Sequence, residues 1–346
     1  MCPKDIAKYN IKRILIIGTS CLGDNLLLTP AIKRIRDTFK DAEIDIVIGP
    51  RAIEFAVDNP WFSNYIVYKK GRRLTRIVNL IKLLNKLNTK RYDLIVDFRN
   101  SIIPFFIRGR FRLTFFLKEL FSEKTFTHEA ERVLKFTEPY FGKEENISLF
   151  FPISKKDRDD MEIFLKLIGV RPSDRIVIFN PGGRAEKKRW PEEKFAEVGK
   201  ELLENYNALK IIITGTVKED KIAVTIKELI GSNDVFNLAG KTTLKQMAAL
   251  LEKASLIITN DTGTLHLASA MHCPAVAIFG PTNPYRYGPI GTKNIVIHSN
   301  ISCFPCNEKR MCRKDYLCIK EITPSEVIKS AMLFLDEKEQ PILFEL

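Results

Sequence analysis

A chain of 346 residues, 45% of them hydrophobic, is long for one domain and comfortable for two, which excludes a disordered or fibrous protein. The formal net charge of +13 is uneven: residues 1–150 carry 27 Lys and Arg against 17 Asp and Glu, the remainder 28 against 25. A basic amino-terminal half predicts an anionic partner, such as nucleic acid, a phosphorylated lipid or a membrane surface. The polar first residues give no secretory signal, and no apolar run reaches the roughly 18–20 residues of a membrane span. The expectation is therefore a cytoplasmic protein, soluble or peripheral on the inner face of the cytoplasmic membrane. Its seven cysteines are expected chiefly as thiols or metal ligands, because disulfides rarely persist there.

In chain order, Ile14, Leu15, Ile16 and Ile17 form a continuous apolar run, the pattern of a strand buried on both faces of a parallel sheet. The segment Gly18-Thr19-Ser20-Cys21-Leu22-Gly23-Asp24 follows, and then a predicted helix over 25–39. Strands are predicted at 44–48, 65–68 and 94–97, with helices at 53–58 and 74–88 between them. This βαβ rhythm implies a parallel sheet flanked by helices. Residues 101–121 break the rhythm, being rich in Phe and Leu interleaved with Arg108, Arg110, Arg112 and Lys118. They read either as core with a solvated basic edge or as a lipid-facing or acceptor-phosphate-facing surface. The domains are expected at 1–152 and 175–322, joined by a linker at 153–174 whose charged run 155–160 starts an exposed helix. The second series has strands at 176–179, 209–214, 235–237, 256–259, 275–279 and 295–297. Helices are predicted at 191–206, 218–230, 243–253 and 262–271, and a last one at 324–335. The fold class is α/β, with two doubly wound Rossmann-like domains.

Such sheets bind ligands at the carboxyl ends of their strands. Four segments sit there. Asp24 lies at a helix start, where it is either a cap or an ionised general base. The glycines before it do not have the G-x-G-x-x-G spacing, which disfavours a nicotinamide dehydrogenase. Gly182 and Gly183 form a turn followed by the basic cluster Arg184, Lys187, Lys188 and Arg189; the turn's backbone amides, Gly183 among them, with Arg184 and Lys188 suit a diphosphate, or else this is a solvated basic turn. Asp261, Thr262 and Gly263 follow the strand 256–259, and His266 lies one turn further on. Thr262 and Gly263 can donate to phosphate or ribose oxygens, Asp261 can accept from sugar hydroxyls, and His266 has a supporting role. The fourth segment, Phe279-Gly280-Pro281-Thr282-Asn283-Pro284, reads as a rigid turn.

Taken together, the chain resembles glycosyltransferase family 9, the lipopolysaccharide heptosyltransferases, over nearly its whole length. The resemblance is carried by Leu22-Gly23-Asp24-Asn25-Leu26-Leu27-Leu28-Thr29-Pro30-Ala31, Asn180-Pro181-Gly182-Gly183 and Lys188-Arg189-Trp190-Pro191. Asn260-Asp261-Thr262-Gly263 with His266, and Phe279-Gly280-Pro281-Thr282, complete it. It implies the GT-B fold, with the two domains facing a cleft, and inverting transfer with no cofactor or metal required for catalysis. It matches Asp24 to the catalytic base, Lys188 to a donor-phosphate contact, and Asp261, Thr262 and Gly263 to the donor-holding loop. The resemblance implies ADP-heptose as donor to the second domain. It implies a lipopolysaccharide core or related anionic glycolipid as acceptor to the first, which agrees with the charge asymmetry. On this view Arg108, Arg110 and Arg112 face the acceptor, and the segment 323–346 crosses back to the first domain. The competing readings are a nucleotide-sugar epimerase and a non-catalytic anionic-glycolipid or nucleic-acid-binding protein. No helix-turn-helix, RNP or zinc-finger pattern supports the last, so nucleic acid is not expected as a partner.

Cys303, Cys306, Cys312 and Cys318 place four thiols within 16 residues. They are candidates for a structural zinc site, for thiols with pKa values lowered by Lys309, Arg310, Arg313 and Lys314, or for disulfides.

Overall fold

Two separate parallel sheets organise the chain. The computed structural model describes residues 2–72, 74–114, 127–143, 147–291, 293–306, 312 and 314–336. It divides into the units Met1–Pro152 and Ile153–Leu346.

The first unit runs β1 (Arg13–Ile17), α1 (Leu22–Leu26), α2 (Thr29–Thr38), β2 (Glu43–Ile48), α3 (Ile53–Ala56), β3 (Asn64–Val67), α4 (Leu74–Leu87), β4 (Tyr92–Asp97), β5 (Gly109–Thr114) and α5 (Glu129–Phe141). Its sheet has the order β3-β2-β1-β4-β5, every pair parallel. The central strands are the continuous apolar runs: Ile14, Leu15, Ile16 and Ile17 are all fully buried. β5 falls inside the segment 101–121, where no strand is expected from the sequence. It is an edge strand, and arginines are tolerated there because one side of an edge faces solvent. Residues 115–121 of that segment lie outside the described residues.

The second unit runs α6 (Lys155–Leu167), β6 (Arg175–Asn180), α7 (Glu192–Asn205), β7 (Leu209–Ile213), α8 (Asp220–Ile230), β8 (Val235–Asn237), α9 (Leu244–Lys253), β9 (Leu256–Asn260), α10 (Gly263–Ala270), β10 (Ala275–Phe279), α11 (Pro284–Tyr287), β11 (Asn294–His298), α12 (Leu317–Lys320) and α13 (Pro324–Asp336). The sheet order is β11-β10-β9-β6-β7-β8, again all parallel. The stretch expected as a linker holds α6, which a Ser154/Asp157 capping box starts. α6 buries Met161 and Leu165, and Arg158 Nε meets Glu252 Oε2 of α9 at 2.6 Å. α13 lays Val327, Ala331 and Leu335 into the core of the second unit beside α7, β9 and β10. Arg175 Nη1 donates to Leu335 O at 2.6 Å. The segment 337–346 lies outside the described residues.

Both sheets reverse their strand order once, between β1 and β4 and between β6 and β9. At such a reversal the loops leave the carboxyl ends toward opposite faces and open a crevice, the place where doubly wound domains take ligands. Beneath the second crevice, Phe195 is fully buried, with its ring centroid 5.1 Å from Trp190 and 5.6 Å from Phe179. Phe195→Ala removes that ring from the support of the crevice, at a cost of about 3–5 kcal/mol. Calorimetry is expected to show a transition lowered by several degrees. A shift of less than about 1 °C would mean the site collapses without strain.

Candidate active site

The crevice of the second sheet is built by a polar network under its two loops. Asn260, at the end of β9, is fully buried. Its Nδ2 donates to Pro181 O at 2.7 Å and Gly182 O at 3.1 Å, and its Oδ1 accepts from Trp190 N at 3.2 Å. One side chain thus fixes the turn after β6 and the stretch leading into α7. Trp190 is locked from its other side, its Nε1 donating to Ile322 O at 3.1 Å. Asn180, at the end of β6, accepts through Oδ1 from Thr259 Oγ1 at 3.3 Å and Thr262 Oγ1 at 3.2 Å. Thr262 is the N-cap of α10, its hydroxyl accepting from Thr264 N.

On this frame Lys188 Nζ meets Asp261 Oδ2 at 2.8 Å. The side chains are 18% and 9% exposed, so the pair is partly desolvated while remaining at the surface of the crevice. Gly263 opens α10, and His266 is buried in the same helix. Arg184 is exposed at the crevice turn. Most of the candidate donor residues, drawn from separate stretches of sequence, are therefore brought together. Gly183 differs from expectation: its N–H donates to Glu219 Oε1 at 2.7 Å. Glu219 also accepts from Thr216 N and Thr216 Oγ1. A Cβ on Gly182 would sit 2.3 Å from the Glu219 carboxyl, so the glycine is what lets that carboxylate approach. Sequence reasoning missed Glu219, although an acid shortly after the second strand of a doubly wound unit is a recognisable signal.

In the first sheet, Asp24 is the third residue of α1, whose N-cap is Cys21. It is not the cap, and its side chain is exposed at the carboxyl edge. Its neighbour Asn25 is fully buried and ties the loop: Oδ1 accepts from Thr19 N at 3.0 Å, and Nδ2 donates to Cys21 O at 2.7 Å and Thr19 O at 3.2 Å. Gly18 makes room for this, since a Cβ there would lie 2.6 Å from Asn25 Oδ1. The loop after β4 adds groups the sequence did not flag. Asp97 accepts from Arg99 N, Ser101 N and Ser101 Oγ, and burial raises its pKa against those hydrogen bonds. Arg99 Nη2 donates to Ser20 Oγ at 3.1 Å, its guanidinium lies 5.3 Å from the Tyr68 ring centroid, and its buried Nη1 has no hydrogen-bond partner among the described residues. Arg99 therefore reaches over the carboxyl ends of the neighbouring strands. Arg51 Nη2, after β2, donates to Cys21 Sγ at 3.3 Å.

The arginines expected at the acceptor lie away from Asp24 in the first sheet. The register Tyr92↔Gly109 puts Arg108 and Arg110 at the amino end of the sheet, the opposite end from Asp24. Arg110 stacks over Phe111 and Tyr9 at 4.7 and 5.4 Å. Arg112 spends its guanidinium on Pro104 O, Gly109 O and Ile107 O at 2.7–3.0 Å, closing the turn before β5. That makes Arg112 a structural residue.

The sequence profile of glycosyltransferase family 9 (heptosyltransferase) matches residues 80–317. A lipooligosaccharide heptosyltransferase 2 of Campylobacter jejuni is 29% identical over 329 residues, spanning 92% of this chain and 97% of the relative. A solved glycosyl transferase family 9 structure from Veillonella parvula has a TM-score of 0.80 at 24% identity, covering 94% of this chain and 98% of its own. The structure of the Escherichia coli ADP-heptose LPS heptosyltransferase II has a TM-score of 0.72 at 22% identity, covering 94% and 100%. Those two share the fold.

The four clustered cysteines differ in exposure. Cys303 and Cys306 are exposed, while Cys318 is buried. Cys312 Sγ accepts from Tyr316 N at 3.3 Å. Among the described residues no three His, Cys, Asp or Glu side chains are grouped to hold a metal ion. None of the seven cysteines is in a disulfide. Lys309, Arg310 and Arg313 lie outside the described residues, and Lys314 Nζ donates to Ser302 Oγ. Burial, and then the charges of Cys306, Cys312 and Cys303, push the Cys318 thiol up to about 11, the reverse of the expected lowering. The thiolate is the nucleophile, so iodoacetamide at neutral pH is expected to label Cys303 and Cys306 well before Cys318. Peptide mass spectrometry reads the order, and early labelling of Cys318 would contradict the burial argument.

Proposed function

The chain belongs to glycosyltransferase family 9, and from that premise we propose that it moves a heptose from ADP-heptose onto a lipopolysaccharide core or related anionic glycolipid, with inversion at the anomeric carbon. It is a glycosyltransferase with the GT-B fold. The observation that carries the reading is the Lys188–Asp261 pair, held by Asn260 at the strand-order reversal of the second sheet. A diphosphate needs a cation on a fixed mount, and the pair supplies one. Asp261 orients Lys188 and can accept from sugar hydroxyls, while Arg184 adds a second charge. Thr262 and Gly263 offer donors at the start of α10, and His266 supports the loop from within. Glu219 follows the second strand of its sheet, where such domains place an acid for ribose hydroxyls. The name of the Escherichia coli neighbour carries ADP-heptose, which fits a donor site of this form.

In the proposed step, the acceptor hydroxyl attacks the anomeric carbon while Asp24 takes its proton. The bond to the diphosphate breaks on the opposite face, and the charge released there meets Lys188 and Arg184. A single displacement inverts the carbon, and these cations supply positive charge without a catalytic metal. Asp24 can accept the proton late, as the hydroxyl becomes acidic in the transition state. Arg99 and Arg51 share the carboxyl edge with Asp24 and suit acidic groups near the reacting hydroxyl. Arg108 and Arg110 meet a more distant part of the acceptor. A glycolipid acceptor places the enzyme at the inner face of the cytoplasmic membrane.

Two variants separate the roles. Asp24→Asn is expected to lower kcat by about 10²–10⁴ with ADP affinity and melting temperature unchanged. Lys188→Ala is expected to weaken ADP about 10- to 100-fold, the loss of one charge-assisted contact. Steady-state kinetics and calorimetric titration measure both. An Asp24→Asn enzyme with near-normal kcat, or a Lys188→Ala protein with normal ADP affinity, would overturn the assignment.

A further inference from the structure

One face of the first sheet exposes apolar side chains inside a stretch without acids. Between Asp58 and Asp93 the sequence has nine Lys and Arg and no Asp or Glu, and between Asp97 and Glu119 it has five and none. These stretches contain α4 and the 3-10 turn Ile103–Phe106. α4 turns Leu83 and Leu87 onto the sheet, where they share a core with Leu15, Ile17, Ile95, Ile103 and Ile107. The helix and the turn therefore cover the same face. Asn88 binds them together, its Nδ2 donating to Phe106 O at 2.9 Å and its Oδ1 accepting from Arg108 N at 2.7 Å.

The outward side of this layer is apolar. Ile77, Val78 and Ile81, at i, i+1 and i+4 on α4, are 58%, 48% and 51% exposed, and Ile102, Phe105 and Phe106 are 51%, 51% and 58% exposed. Lys82 and Lys86 are exposed on the same helix, and Lys69, Lys70 and Arg72 are exposed just before it. Single exposed hydrophobics are ordinary, but six on one layer ringed by cations mark an interaction surface. Exposed apolar residues of the second unit, such as Ile163, Val224 and Leu333, lie on helices that also carry Asp or Glu.

We propose that the layer of α4 and the turn Ile103–Phe106 docks on an anionic lipid bilayer. A bilayer is the partner that takes both features at once: isoleucines and phenylalanines enter the headgroup boundary, and the lysines and arginines meet anionic lipid. Each cation near such a surface strengthens binding about fivefold. Nucleic acid would leave the apolar side chains without a role, and in a symmetric pair of copies this acid-free face would meet only like charge. No helix of the described residues is long and apolar enough to cross a membrane, so the contact is interfacial. The proposal rests on the glycolipid acceptor of the preceding subsection for its setting, while its test needs no transferase activity.

The full chain is sedimented with vesicles of phosphatidylcholine alone and of phosphatidylcholine mixed equally with phosphatidylglycerol. Binding is expected only to the mixed vesicles and is expected to fall as salt rises. Ile77→Ser with Ile81→Ser, and separately Phe105→Ser with Phe106→Ser, should each weaken it at least about tenfold. Lys82→Glu with Lys86→Glu should abolish the preference for phosphatidylglycerol. Melting temperature and ADP affinity, measured on the same samples, are expected to stay at wild-type values. Two independent apolar pairs keep the test decisive if one pair fails to fold. Equal binding to neutral vesicles, no vesicle binding, or wild-type binding by a folded apolar variant would overturn the proposal. So would a dimer that Ile77→Ser disperses, or a polynucleotide bound in preference to vesicles. Normal ADP affinity without vesicle binding would sink this surface and leave the donor site standing. Vesicle binding without ADP affinity would do the reverse.

Discussion

The second unit depends on Asn260. A buried amide has two N–H donors and a carbonyl acceptor, and leaving any of these groups without a partner in a core is costly. Here Asn260 Nδ2 satisfies Pro181 O and Gly182 O, and its Oδ1 satisfies Trp190 N. Those groups belong to a turn and to a helix entry that have no strand ladder to hold them. Without that amide, three backbone groups would be buried unpaired, and Lys188, two residues before Trp190, would lose its position opposite Asp261. The order of the loop thus comes from one residue at a strand end, and the charge pair follows from that order.

The same logic operates in the first unit with a different asparagine. Asn25 closes the loop after β1 onto itself through Thr19 and Cys21, which leaves Asp24 facing outward beside it. In both sheets a buried amide at the strand-order reversal fixes irregular backbone, and an adjacent carboxylate is presented. The electrostatics differ. Around Asp24 the cations are Arg51 and Arg99, the latter stacked near Tyr68 and bonded to Ser20. In the second sheet the carboxylate of Asp261 is already paired with Lys188. An exposed acid at a strand end suits proton transfer to or from an acceptor, and a half-buried acid paired with a lysine suits the mounting of a cation.

Much of this was legible in the sequence, for physical reasons. Fully buried parallel strands are continuous apolar runs, so β1, β4, β6, β9 and β10 stand out, and the turns at their carboxyl ends expose the candidate chemistry. β5 was not legible, because an edge strand carrying Arg110 and Arg112 loses the apolar run and its neighbours are aromatic. The helix over 155–167 was expected as an exposed helix within a linker, since its charged first turn hid the Met161 and Leu165 face. Arg99 was missed because a single arginine after a strand has no pattern. Its importance comes from reaching Ser20 and Tyr68, 79 and 31 positions away in sequence. Arg112 looked like part of a cationic patch, and only the three carbonyls around it show otherwise. The amide of Gly183 was expected to face a ligand, and the sequence does not reveal that Glu219, across the sheet order, reaches it.

The most direct test of the account is amide hydrogen exchange of the full chain with and without saturating ADP. Exchange reports local protection along the backbone. If the strand-order reversal of the second sheet takes the donor diphosphate, ADP will slow exchange in 181–188 and 261–266 and leave 18–25 unchanged. Protection confined to the first unit, or two unaffected loops at saturating ADP, would contradict it.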